Sequence, residues 1–169
     1  MPVTRLNHAV LYVRDVERSV AFYRDILGFS HVMGFPGAAF LQAPGSTNDH
    51  DLGLFEIGGG AGPSQAGRAT VGLYHLAWEV DTLAALRDLA VKLSDAGALA
   101  GASDHSTTKS LYAKDPDGLE FEVAWVVPAD RIDGDVLAGR TSIKPLDLDR
   151  EIERYGAELR GGVGISIPV

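Results

Sequence analysis

The sequence predicts an α+β fold: two βαβββ modules curled into one eight-stranded, partly closed sheet with a cleft, followed by a helical tail. Three observations carry this. "RLNHAVLYVRDVERSVAFYRDILGF" (Arg5 to Phe29) reads as strand, aspartate, helix, glycine. "LYHLAWEVDTLAALRDLAVKLSDAG" (Leu73 to Gly97) repeats that plan. After each come three shorter β-like runs broken by Gly and Pro. About four strands cannot close a core alone, so each half needs the other.

In the first helix Val16, Val20, Tyr23 and Leu27 recur at helical spacing, with Asp15 as the expected N-cap and Gly28 as a left-handed stop. In the second, Leu86, Leu89, Ala90 and Leu93 form the apolar face, with Asp81 as cap and Gly97 as stop. The strands that follow are "FSHVMGF", "AAFLQA" and "HDLGLFEI" in one half. In the other they are "ALAGAS", "KSLYAK" and "LEFEVAW", with "DPDG" as a turn before the last. The expected organisation is a first module over 1–58, a glycine-rich linker over 59–70, a second module over 71–127 and an extension over 128–169. The linker lacks the Lys-Ser/Thr ending of a phosphate-binding loop and is read as a connector. In the extension, "PLDLDREIERYGAELRGG" reads as a helix with Ile152, Tyr155 and Leu159 on one face, stopped by Gly161–Gly162. "GVGISIPV" reads as a short terminal strand. The helix is expected to cover the sheet or, by a slight preference, to join two subunits as a homodimer.

Composition narrows the function. The 169 residues carry a formal charge of −8 and show no basic stripe, which argues against a nucleic-acid partner. Cysteine is absent, so disulfides, thiolate catalysis and zinc–thiolate sites are excluded, and any metal must take nitrogen and oxygen ligands. No signal-peptide-like or membrane-spanning run is evident, and the expected location is cytoplasmic.

His8 and His75 occupy corresponding points of the two repeats, in runs where valine would fold more easily. His8 precedes Glu56 by nearly the same distance as His75 precedes Glu122. A pseudo-twofold pairing of the halves would bring these four side chains together, which reads as a metal site. By period-two alternation, His50, Leu52, Leu54 and Glu56 should share one face of their strand, so a cleft-facing His50 implies a cleft-facing Glu56.

The runs "NHAVLYVRDVERSVAFYRDILGF", "YHLAWEV" and "LYAKDPDGLEFEV", in this order and spacing, resemble the vicinal-oxygen-chelate superfamily. That group contains glyoxalase I, extradiol ring-cleavage dioxygenases, fosfomycin-resistance transferases and bleomycin-binding proteins. The resemblance covers roughly residues 4 to 127 and is nearest to one-domain catechol 2,3-dioxygenase-like members. It implies paired βαβββ modules around a metal cleft. For an extradiol enzyme it implies a facial triad of His8, His75 and Glu122, with Fe(II) first and Mn(II), Ni(II) or Zn(II) as alternatives. The substrates would be a catechol-type aromatic diol and O₂. His50 in "NDHDLGLF" would be the acid–base histidine, although its neighbour is Asp51 where these enzymes carry a second histidine. Tyr112 would hold the substrate oxygen, and His105 in "GASDHSTTKSLY" would stand at the pocket wall. The alternative is a glyoxalase I-like lyase or isomerase for a dicarbonyl-type substrate, with Glu56 as fourth ligand around Ni(II) or Zn(II). A metal-free drug-binding protein ranks last, because the ligand set is present. His31 is set aside as structural.

Overall fold

The computed structural model describes residues 2–67 and 69–162. They form two compact units, one made of residues 1–64 with 115–118, the other of 65–114 with 119–169. Between them they hold a four-stranded and a five-stranded sheet, neither closed into a barrel. No helix among the described residues is long and apolar enough to cross a membrane.

The first unit runs β1 (Ala9–Val13), α1 (Val16–Asp25), β2 (Ser30–Phe35), β3 (Ala38–Gln42) and β4 (Leu52–Glu56). Sheet order is β1-β4-β3-β2, with β1 parallel to β4 and the other pairs antiparallel. Asp15 caps α1 as expected, its side chain accepting the Arg18 N–H at 2.9 Å. Gly28 ends the connection with φ +78°, a conformation that favours glycine. Val16, Val20 and Tyr23 bury the inner face of α1, which packs on β3 and β4, where Leu41, Leu52 and Leu54 are fully buried. Each such fully buried aliphatic side chain contributes roughly 1.5–3 kcal/mol. The opposite face of the sheet is open: Tyr12 is 71% exposed and Phe35 55%.

The "DPDG" turn belongs to this unit. Asp117 accepts from the Arg14 guanidinium at 2.8 Å and from the Arg14 backbone N–H at 2.9 Å. Asp115, itself buried, accepts from the Tyr23 hydroxyl at 3.4 Å. Burial first, and the Asp115 carboxylate second, hold the Tyr23 phenol well above its ordinary value.

The second unit repeats the plan with β5 (Leu76–Glu79), α2 (Leu83–Asp95), β6 (Leu99–Asp104), β7 (Thr108–Lys114) and β8 (Glu120–Val126). A single 3₁₀ turn (Ala129–Arg131), α3 (Gly134–Gly139), β9 (Lys144–Pro145) and α4 (Leu148–Tyr155) follow. Sheet order is β5-β8-β7-β6-β9. The ninth strand was not legible in sequence, because two residues including a proline carry no strand pattern. It pairs with Ser103 and Asp104 of β6.

Two helix ends differ from expectation. Thr82, not Asp81, caps α2: its hydroxyl accepts the Ala85 N–H at 3.1 Å. The Asp81 carboxylate instead takes Arg160 at 3.0 Å, and its carbonyl takes the Gly161 N–H. Starting one residue later brings Leu83 into the core with Leu86 and Leu93, leaving Leu89 and Ala90 half-buried. Helix α4 ends at Gly156 (φ +90°), five residues before the glycine pair expected to stop it. Gly161 has a packing role instead: a Cβ there would overlap the Val126 carbonyl and the Trp125 ring. Helix α4 lies on its own unit, with Tyr155 5.4 Å from the Trp125 ring and the helix against α2. The expected terminal strand lies outside the described residues beyond Gly162.

Candidate metal and acid–base site

The two sheets carry their candidate side chains on corresponding faces, each within its own unit. In the first, His8 precedes β1 and, by alternation with Val10 and Tyr12, stands on the open face. Its Nδ1 lies 2.7 Å from the Asn7 side-chain oxygen. With Nδ1–H donating there, Nε2 carries the free lone pair, the arrangement that outer partners impose on metal-binding histidines. The His50 ring packs 4.7 Å from the His8 ring and 5.0 Å from Phe40. Its Nδ1 meets the Asp49 carboxylate at 2.9 Å. Phe40, Phe55 and Phe35 continue this face as a set of ring contacts at 5.8 to 6.1 Å.

Glu56 is elsewhere. It pairs in register with Val13, which is 1% exposed on the helix side. Its Oε2 accepts the Val16 N–H at 3.0 Å, at the first turn of α1. A carboxylate there satisfies a donor that the helix cannot, and meets the positive end of its dipole. The expectation that His50 and Glu56 share a face therefore fails, for a local reason. His50 precedes β4, and Asp51 interrupts the alternation between them. The Asp51 carboxylate accepts from the Ala43 N–H at 2.8 Å, the Ser46 hydroxyl at 2.7 Å and the Asn48 amide at 2.8 Å. Burial raises its pKa, but these hydrogen bonds outweigh that effect and hold it below the ordinary aspartate value. The loop over 43–51 closes around Asp51, and the chain enters β4 turned.

Register makes the same point. Ala77, two residues after His75, pairs with Glu122, whereas Val10, two residues after His8, pairs with Gly53. The counterpart of Glu122 is thus Gly53, and it is packed: a Cβ there would lie 3.4 Å from Val10 and 3.5 Å from Phe40. Counting residues between histidine and glutamate hid this, because the count carries no register. Glu56→Gln is expected to lower stability by about 1 kcal/mol, roughly 2–4 °C in thermal midpoint, with metal content unchanged. Loss of metal in a folded variant would restore Glu56 as a ligand.

In the second unit His75 precedes β5, and its Nε2 lies 3.1 Å from Glu122 Oε2. Tyr112 pairs in register with Glu122, so both point from the same face, and its ring stands 5.9 Å from the His75 ring. Burial, then the Glu122 charge, raises the Tyr112 phenol above its ordinary value, keeping it a protonated donor at neutral pH. The Tyr112 hydroxyl is 2.8 Å from His105 Nε2. The Tyr74 ring lies 4.6 Å from the His75 ring, tilted by 58°, a contact that no sequence pattern singled out. His31 lies apart, its Nε2 2.9 Å from the Met33 carbonyl in β2.

The chemistry of the His75–Glu122 pair, one nitrogen and one carboxylate donor, fits a metal ion. Two ligands at right angles, each about 2.1 Å from one ion, are separated by about 3 Å; the His75–Glu122 distance matches this. His75 Nδ1 is buried without a hydrogen-bond partner, which leaves the ring held by its Nε2 side. Among the described residues, no three histidine or carboxylate side chains form one cluster.

The family model "Glyoxalase/Bleomycin resistance protein/Dioxygenase superfamily" matches residues 5–123. The chain belongs to this superfamily. Within it, the chain is 38% identical over 125 residues to a protein named biphenyl-2,3-diol 1,2-dioxygenase 3 from Rhodococcus globerulus, covering 73% of this chain and 64% of that one. It is 31% identical over 123 residues to catechol-2,3-dioxygenase from Bacillus subtilis, covering 71% and 41%. The chain thus spans less than two thirds of the length of either relative. A solved superfamily domain from Frankia sp. EAN1pec shares the fold with a TM-score of 0.59 and 25% identity, covering 73% of this chain and 92% of that one. The superfamily match stops before the C-terminal extension.

Proposed function

We propose that this superfamily member is a metal-dependent extradiol ring-cleavage dioxygenase acting on a catechol-type diol and O₂. The observation that supports the reading is the engagement of Glu56 with α1, while Gly53 stands at the register position that Glu122 holds in the second unit. On this reading the ligands would be three, His8, His75 and Glu122, rather than the four of a glyoxalase I-like site. Two relatives named as diol dioxygenases support the same choice.

Nitrogen and carboxylate ligation in a three-ligand set suits Fe(II), with Mn(II) as the second choice. When bound, the ion would carry both diol oxygens and lower their hydroxyl pKa. His8 would ligate through Nε2, since Nδ1 faces Asn7. His75 and Glu122 would supply the adjacent pair. The aromatic face formed by Phe35, Phe40 and Phe55 would pack against the substrate ring and keep water from it. His50, with Nδ1 tied to Asp49, would hold and then deliver a proton at Nε2. Tyr112 would donate to a substrate oxygen. That requires His105 to donate Nε2–H to the phenol oxygen, leaving the phenol proton free.

The test is oxygen uptake by anaerobically Fe(II)-loaded protein against a panel of catechols that includes 2,3-dihydroxybiphenyl, with iron quantified in the same sample. Uptake accompanied by a ring-cleavage chromophore is expected. Stoichiometric iron with no uptake across the panel would overturn the reading.

A further inference from the structure

The turn that carries His105 is held from outside the superfamily core. After β6 the chain turns through His105, Ser106 and Thr107, and Ser106 has a φ of +70°, the sole non-glycine residue in that region among the described residues. Such a backbone is costly unless its surroundings fix it. The fixing groups come from the C-terminal extension. Ser106 Oγ donates to the Val136 carbonyl in α3 at 2.7 Å. Gly139 lies so close that a Cβ would stand 2.9 Å from Ser106 Cβ. Strand β9 pairs with Ser103 and Asp104. The fourth contact is ionic: Lys109, 1% exposed, reaches Asp104 at 2.6 Å and Glu151 of α4 at 2.8 Å. Asp104 in turn accepts the Ser106 N–H at 2.7 Å. A buried cation between two carboxylates links α4 to the backbone that bears His105. Removing one partner of such a group leaves charge uncompensated rather than merely losing a contact.

We propose that the C-terminal extension is a positioning element, in which Glu151, through Lys109 and Asp104, and α3, through Ser106, hold His105 on the Tyr112 hydroxyl. Glu151 and Ser106 are positioning residues. They touch neither the proposed ligands nor Tyr112, and they act by setting which way the phenol proton points. The catalytic consequence rests on the dioxygenase reading; the geometric one does not.

The experiment separates these. Histidine side-chain ¹⁵N spectra are recorded on the full chain, stripped of metal, at one pH well above the histidine range. His105→Gln assigns the resonance, and Tyr112→Phe gives its position without the phenol. Glu151→Gln keeps the side-chain shape, while Ser106→Gly removes the hydroxyl and relieves the positive φ, so it does not threaten folding. In both variants the His105 resonance is expected to move most of the way to its Tyr112→Phe position while those of His8, His31 and His50 stay. Iron-loaded variants should show KM for the diol raised about 3–10-fold, the value of one hydrogen bond, with kcat less affected. If neither variant moves the His105 resonance, the proposal is overturned, whatever the activity. Movement in Ser106→Gly alone overturns the role given to Glu151. Movement without turnover in any form, wild type included, keeps the positioning role and rejects the dioxygenase.

Discussion

Replacement of His50 by phenylalanine is expected to lower diol turnover about 10²–10⁴-fold, the range for loss of a general acid–base, while bound iron stays at the wild-type level. The ring of phenylalanine can keep the packing against Phe40, which holds His50 by an edge contact at 5.0 Å. What it cannot keep is the imidazole anchored to Asp49 through Nδ1, with the second ring nitrogen that the proposed proton transfer needs. His50 lies beside His8 but is outside the proposed ligand set. Iron content and turnover must therefore separate. Equal loss of both would make His50 a ligand and remove the acid–base assignment.

Replacement of His75 by alanine should do the reverse. Bound iron should fall by more than the roughly 10–100-fold that loss of an outer partner costs, and turnover should fall in proportion. His75 Nε2 lies 3.1 Å from Glu122 Oε2, and the side chains are 25% and 13% exposed. Without the imidazole, Glu122 loses the nitrogen beside it and the proposed ligand set falls from three to two, too few to hold a divalent ion firmly. Thermal melts of metal-free wild type and variant separate lost ligation from lost folding. Iron retained at full stoichiometry in a folded variant would reject His75 as a ligand. These two outcomes would assign proton transfer to one imidazole and metal ligation to the other.

Much of the architecture was legible because it is written in local patterns. The repeated strand–helix plan, the Asp15 cap and the glycines at 28 and 97 each depend on a few neighbouring residues. The missed cap of α2 belongs to the same class, since Asp81 and Thr82 are adjacent candidates and the sequence ranks them nearly equally. The end of α4 was placed at the glycine pair because two glycines look like a stronger stop than one. Gly156 does the stopping, and Gly161 is required by Trp125, a contact 36 residues away in sequence that no local rule could reveal. The helix face also hid its most buried member. Glu151 is 3% exposed because Lys109 meets it, and hydrophobic periodicity passes over a buried carboxylate.

By itself the sequence determined the fold class, the superfamily and the chemical kinds of group available: two histidines at repeated positions, carboxylates, and no thiol. Tertiary structure decided which of those groups face together. A strand's side chains alternate with every residue, so one turn of the chain at Asp51 is enough to send His50 to the open face and Glu56 to the helix. Separation along the chain counts residues but not register. Only the pairing of β1 with β4 and of β5 with β8 shows that Gly53 holds, in the first unit, the register position that Glu122 holds in the second, and only the hydrogen bond to Val16 shows what Glu56 does instead.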